Sequence, residues 1–209
     1  MQWSVINEGI NAIIIDGFYT NEQLKEIHQE LSWLNKPSIM MPPEKLSSAK
    51  VEETYQTSKR GIFLEEVFNN WRHSALISHL INNLNKEEVV TKLLEINPFY
   101  NFLYRCNKKT HLVSYYENSD YYKPHIDDAL FTILNYFHSE PRKYSGGEII
   151  LKSSNSSKEA TIDPMNNRVI IIPSYIVHSV NEINFSGISG EGRYCCAQFL
   201  NFVDERTTK

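Results

Sequence analysis

Three side chains of this 209-residue chain stand where they could hold a metal ion. His125 and Asp127 lie in the run Tyr122-Lys123-Pro124-His125-Ile126-Asp127. In extended backbone, residues i and i+2 project to one face, so this imidazole and carboxylate would sit side by side. Pro124 favours extended structure at Lys123 and offers no N–H to a ladder, which suits a strand start or a sheet edge. His178 follows Ile170-Ile171-Ile172-Pro173-Ser174-Tyr175-Ile176-Val177, an apolar strand broken by a proline turn. A histidine just past a buried strand can be aimed into a barrel mouth. The bland alternative is a core histidine bonded to backbone. Two histidines and one carboxylate form a facial set that leaves coordination positions open, a pattern suited to non-haem Fe(II).

Arg193 opens Arg193-Tyr194-Cys195-Cys196-Ala197-Gln198-Phe199, a mostly apolar strand-like run. A guanidinium cannot shed its charge, so on a buried strand Arg193 needs an anion. A small dicarboxylate, held by the metal at one end and bidentately by Arg193 at the other, would satisfy it. A salt bridge to Glu182 or Glu191, or exposure at the strand start, would also explain the residue. Tyr115 could add a hydroxyl to the same carboxylate, or could simply be a core tyrosine. His28, His73 and His79 fall on helices without partners at ligand spacing, and His111 and His138 stand alone near strand ends, so none is assigned a role.

The elements that must position these groups change along the chain. Ala12 to Ile15 reads as a short strand ending in the turn Asp16-Gly17-Phe18. Thr20 with Gln23 fits a capping box before Leu24, Ile27, Leu31 and Leu34 at helical spacing, and Pro37 ends that helix. Residues 36–61 are rich in Pro, Ser, Lys and Glu and read as a long connecting loop. Helical spacing returns at Leu76, Ile77, Leu80, Ile81 and Leu84. It returns again, with Asn85 as the cap, at Val89, Val90, Leu93 and Leu94 before Pro98. Beyond that come short β-rich runs: Phe102 to Arg105, His111 to Tyr116, Leu130 to Phe137, Glu148 to Leu151, Arg168 to Ile172 and Arg193 to Phe202. Turn signals separate them. Helices first and strands second give an α+β fold: a jelly-roll-like β-structure covered by N-terminal helices, with 1–98 mainly helical support and 99–209 the β core of one domain.

Composition bounds the rest. A net charge of −4 leaves no basic surplus for nucleic acid, and no apolar run is long enough to span a membrane. Met1 to Ile15 lacks the pattern of a signal peptide. The three cysteines include the adjacent Cys195 and Cys196 and form neither a disulfide framework nor a CxxC zinc pair. These features fit a cytoplasmic protein; its oligomeric state is not legible.

Taken in order, Tyr115, Tyr122-x-Pro124-His125-x-Asp127, Ser145-Gly146-Gly147-Glu148, Pro173-Ser174, His178-x-Val180 and Arg193-Tyr194 make residues 104–203 resemble the core of the 2-oxoglutarate and Fe(II)-dependent oxygenases, in their prolyl 4-hydroxylase-like branch. Ile15-Asp16-Gly17-Phe18 and the helix after it look like that branch's lead-in. The resemblance implies a double-stranded β-helix with His125, Asp127 and His178 on iron, and Arg193 and Tyr115 on the distal carboxylate of 2-oxoglutarate. Dioxygen is the oxidant and ascorbate a candidate auxiliary reductant. The chain departs from the pattern in having Arg193 where collagen-type members have lysine, and in lacking the glycine that often follows the tyrosine matching Tyr115. Asp127 argues against a halogenase. The implied activity is hydroxylation of a prolyl residue in a peptide or protein. A free amino acid or other small molecule is the alternative substrate, and a non-catalytic jelly-roll binding module or a zinc hydrolase the alternative class. Residues 36–61 and the turn 153–158 are the expected substrate contacts, by length and position.

Overall fold

The computed structural model describes residues 1–7, 9–45, 50–51 and 54–203. In chain order it runs β1 (Gln2–Ile6), β2 (Ala12–Asp16), α1 (Asn21–Leu34), β3 (Lys50–Val51), β4 (Thr54–Tyr55), β5 (Arg60–Phe63), α2 (Ala75–Leu84) and α3 (Glu87–Ile96). A 3-10 helix at Pro98–Arg105 leads to β6 (Lys108–Tyr116), β7 (Tyr122–His125), β8 (Phe131–Phe137), β9 (Tyr144–Gly146) and β10 (Ile149–Lys152). The chain continues through β11 (Glu159–Ile162), β12 (Arg168–Pro173), β13 (Val177–Val180), β14 (Ile183–Phe185) and β15 (Arg193–Asn201).

The strands form a seven-stranded sheet, ordered β1-β2-β12-β8-β15-β6-β5, and a four-stranded sheet, ordered β11-β10-β13-β7. The small β14-β9 pair sits apart from both. Every pairing is antiparallel. This is the expected α+β jelly roll.

The apolar runs on the large sheet have a simple cause: its central strands are buried on both faces. Ile13, Ile15, Val113, Ile133, Phe137, Val169, Ile171 and Cys196 face one way and share a core with Ile27, Leu31, Leu34, Leu76, Leu80 and Leu93 of the helices. Their neighbours Ile14, Leu134, Tyr136, Ile170, Ile172 and Cys195 face the other way and pack against Ile149, Leu151 and Val180 of the small sheet. The period of two thus divides the chain between a helix-covered core and an inter-sheet core, and the inter-sheet space is where a site can open.

Several local expectations change. Thr20 and Gln23 do form the capping box of α1. Asn85, however, ends α2, its side chain donating to the Ile81 carbonyl, and α3 starts after Lys86 with Glu87 and Glu88 in its first turn. Phe102 to Arg105 is 3-10 helix, not strand: Asn97 caps it by accepting from the Phe99 N–H, and Pro98 presets its first turn. Within 36–61, Met40 is buried, Met41 bridges Gly61 across two backbone hydrogen bonds, and β5 completes the edge of the large sheet beside β6. Residues 46–49 and 52–53 lie outside the described residues. No helix among the described residues is long and apolar enough to cross a membrane.

Leu31 is the clearest test of the helix-to-sheet core, being 1 % exposed. Leu31→Ala should cost about 2–5 kcal/mol, read as a lower denaturant midpoint with an unchanged slope.

Candidate metal and cosubstrate site

His125 ends β7, the outer strand of the small sheet, so the edge position suggested by Pro124 is where the strand lies. His178 lies opposite it on β13, and the register shifts immediately after that pair. Asp127 follows β7 in a loop tied down by its own N–H, which donates to the Ser174 carbonyl at 3.2 Å. Ligand atoms of the three side chains come within 4.8 Å of one another. His178 Nε2 stands 3.4 Å from Asp127 Oδ2, and His125 Nε2 stands 3.7 Å from Asp127 Oδ1.

Hydrogen bonding settles which nitrogens face inward. His125 Nδ1 contacts the Lys123 carbonyl at 2.8 Å and His178 Nδ1 the Ile176 carbonyl at 3.0 Å. A carbonyl only accepts, so each Nδ1 carries the proton and each Nε2 keeps its lone pair. Burial, with the His178 ring beside it, pulls His125 down to about 4, so this ring stays neutral at pH 7. Tyr122 stacks on it with ring centres 3.7 Å apart. Thr132 Oγ1 donates to Asp127 Oδ2 at 2.6 Å and in turn accepts from Ser174 Oγ at 2.8 Å, which fixes the carboxylate. Converging lone pairs with no proton between them repel, and a cation is what completes them. Two nitrogens and a carboxylate oxygen suit iron by ligand type.

The site opens into an inter-sheet cavity of about 350 Å³ whose walls include Lys59, Ser114, Tyr116, Tyr136, Arg193 and Cys195. Arg193 is 1 % exposed, and its Nε and Nη1 have no hydrogen-bond partner. Its guanidinium lies against the rings of Tyr116 (4.3 Å to the ring centre) and Tyr136 (5.0 Å), and the Tyr136 hydroxyl is also without a partner. Neither Glu182 nor Glu191 pairs with it among the described residues; Glu191 accepts instead from the Ile188 N–H. A buried guanidinium and phenol with unused donors fit the far carboxylate of a diacid whose other end reaches the metal. The residues present therefore fit both an iron ion and such a diacid.

Tyr115 is a correction. Ser114 and Tyr116 face the cavity, so strand alternation turns Tyr115 to the helix side of β6. There its hydroxyl accepts from the N–H groups of Gly190 (2.6 Å) and Gly192 (3.1 Å), and its ring packs on Tyr194. A Cβ at Gly192 would stand 2.3 Å from the Tyr116 carbonyl, so only glycine allows this approach. Tyr116 and Tyr136, which the sequence reading did not select, bring the tyrosines to Arg193. Gly146, within the Ser145-Gly146-Gly147-Glu148 run, has φ +73° and passes so close to β14 that a Cβ would meet the Glu182 carbonyl at 2.3 Å.

Lys59 was also missed. It is 4 % exposed, its Nζ donates to Ser114 Oγ at 2.7 Å, and burial pushes it down to about 8. Of the two segments expected to meet substrate, 36–61 reaches the cavity through Gln56 and Lys59. Residues 153–158 do not line it; Asn155 instead abuts Gly9.

Residues 110–201 match the profile described as the 2OG-Fe(II) oxygenase superfamily. That segment carries all three convergent ligands and Arg193. Residues 110–201 are thus similar to the 2OG-Fe(II) oxygenase superfamily. Fe(II), 2-oxoglutarate and dioxygen are what that superfamily uses, and the His125–Asp127–His178 cluster and the Arg193 cavity suit them. The fold extends over nearly the whole chain in solved structures. A prolyl-4-hydroxylase from Pseudomonas putida is similar at TM-score 0.63 and 12 % identity, covering 95 % of each chain. A prolyl hydroxylase from Trichoplax adhaerens, solved with a hypoxia inducible factor oxygen degradation domain peptide fragment, is similar at TM-score 0.63 and 19 % identity, over 91 % of this chain and 83 % of that one. A 2OG-Fe(II) oxygenase family oxidoreductase from Burkholderia pseudomallei is similar at TM-score 0.55 and 11 % identity, over 92 % and 84 %. No curated protein matches in sequence.

The oxygenase core makes a prediction about Thr132, which touches Asp127 but is not itself a ligand. Thr132→Val should keep the fold and weaken Mn(II) or Fe(II) binding by about 10–100-fold, measured by anaerobic calorimetry. Asp127→Ala should abolish that binding.

Proposed function

We propose that this dioxygenase hydroxylates a substrate C–H bond, with a prolyl residue in a peptide or protein as the substrate. In this reading His125, Asp127 and His178 hold the iron, and Arg193 with Tyr136 holds the distal carboxylate of 2-oxoglutarate. The observation that carries it is the pairing of three convergent ligand atoms with a buried guanidinium whose donors are unused, in one cavity. When bound, iron and 2-oxoglutarate supply the oxidising power: one oxygen atom of dioxygen enters the substrate and the other enters succinate as carbon dioxide is lost.

The chain's own residues do the positioning. Thr132 and Ser174 orient Asp127; Lys123 and Ile176 carbonyls orient the two imidazoles; Tyr116 and Tyr136 hold the guanidinium in place. Leu134, Ile149, Ala197 and Phe199 line the cavity with apolar surface, which limits water at the reacting carbon. Ile126, between two of the ligands, is exposed at the mouth, where a polymer substrate could rest on it. The prolyl substrate draws its support from two similar structures that are prolyl hydroxylases, one of them solved with a peptide. A second reading, hydroxylation of a free amino acid or another small acid at the same centre, is favoured by one observation, the buried ammonium of Lys59.

Incubation with Fe(II), ascorbate, 2-oxoglutarate and a library of proline-containing peptides should add one oxygen to particular peptides and form succinate in equal amount. Oxygen on free proline alone would move the assignment to the second reading, and succinate with neither product would remove both. Arg193→Ala should raise the 2-oxoglutarate requirement by about 10–100-fold, the value of charge-assisted hydrogen bonds. Tyr115→Phe should leave that requirement unchanged, because the hydroxyl it removes serves Gly190 and Gly192.

A further inference from the structure

Lys59 is a buried cation for which the proposed iron and cosubstrate leave no counter-charge. An ammonium has three donors, and Lys59 spends one, on Ser114 Oγ. Among the described residues no carboxylate lies within ion-pair distance of it. Its Nζ instead sits over the rings of Tyr122 (4.6 Å) and Tyr116 (5.6 Å). Tyr122 is the residue stacked on His125, and Tyr116 is the residue against Arg193, so Lys59 stands beside the space between metal ligands and guanidinium.

Its position is built rather than incidental. Thr57 bridges Tyr122, the Gln56 carbonyl accepts from the Lys123 N–H at 2.8 Å, and Thr57 Oγ1 donates to the Tyr121 carbonyl at 2.8 Å. Ser58 Oγ accepts from the Tyr121 N–H at 3.2 Å, and Arg60 pairs with Tyr115 on β6. The segment carrying Lys59 is thereby fastened both to the strand that bears His125 and to the large sheet. An ammonium so held and so desolvated is costly unless an anion meets it.

Charges around the cavity indicate where that anion comes from. The wall carries Lys59 and Arg193 as cations and Asp127 as a half-buried carboxylate, while Asp128 is exposed at the rim, where solvent screens it. Cys195, Tyr116, Tyr122 and Tyr136 are all pushed up by burial and contribute no negative charge at pH 7. Together, dianionic 2-oxoglutarate and Asp127 offset divalent iron and Arg193. One positive charge remains, at Lys59.

Resting on the oxygenase reading above, we infer that Lys59 anchors a carboxylate carried by the primary substrate, borne either by an acidic residue next to the target in a peptide or by a free amino acid itself. The ammonium then orients the substrate relative to the metal, so that the carbon oxidised lies a fixed distance from an acidic group. Lys59 is a specificity-determining residue in this account.

The test uses the full chain loaded with Mn(II) and 2-oxoglutarate, titrated with two matched pairs of probes: L-proline against L-prolinamide, and an end-capped Asp-Pro peptide against its Asn-Pro twin. In the wild type the carboxylate member of one pair should bind at least about tenfold tighter than its amide, and the pair that responds identifies the source. Lys59→Met should erase that preference with 2-oxoglutarate affinity held, and Lys59→Arg should retain part of it. Lys59→Gln serves if the methionine variant does not fold. No preference in the wild type, or a preference that survives loss of the ammonium, overturns the inference. A tenfold loss of 2-oxoglutarate affinity on removing the ammonium also overturns it, by assigning Lys59 to the cosubstrate. Failure of the oxygenase reading is separately visible, because wild-type protein would then bind no 2-oxoglutarate before any probe is added.

Discussion

A charge that cannot be neutralised, sealed where water cannot reach it, is the constraint around which this protein is organised. Arg193 opens the strand that pairs with both β6 and β8, and two tyrosine rings cover its guanidinium while its Nε and Nη1 go unused. Aromatic faces lower the cost of such burial but do not remove it. An anion must arrive, and the one that fits has to reach across the cavity toward three converging lone pairs, two on the opposite sheet and one on the loop after β7. The same physics governs both ends: lone pairs without a cation at one, donors without an anion at the other. A bound metal and a diacid relieve both at once.

Topology is what brings those ends together. The large sheet supplies Arg193, Tyr116 and Tyr136 from three adjacent strands, and the small sheet supplies His125 and His178 from two. Because strands alternate, half of each central strand of the large sheet belongs to the helix-covered core and half to the cavity wall. The helices therefore do more than shield the sheet. By burying one parity of residues they determine which parity faces the reactants, and a slip of one residue would put Tyr115 where Tyr116 stands.

That parity also explains how much of the protein could be read in its sequence. The α+β order, the jelly roll and the capping box at Thr20 rest on local spacing and were legible. His125, Asp127 and His178 could be named because each stands in a recognisable local setting, and the structure brings them together. Tyr115 and Tyr116 could not be separated, since adjacent tyrosines on one strand differ only in which sheet face they meet, and that depends on pairing. Lys59 was invisible for another reason. It sits in a stretch without periodicity, and its burial follows from contacts with Tyr121, Tyr122 and Ser114 that lie more than fifty residues away. Phe102 to Arg105 misled because aromatic residues favour strands, while the capping Asn97 and Pro98 in the first turn decided for a helix.

The central claim is that the three ligands and Arg193 form one site for iron with a chelating diacid. Anaerobic titration with Fe(II) and then 2-oxoglutarate, followed in the visible spectrum, measures this without needing a substrate. The account requires a weak, saturable charge-transfer band that appears only when both are present and disappears in Asp127→Ala. Folded wild-type protein that gives no such band, or gives it unchanged without the Asp127 carboxylate, would contradict it.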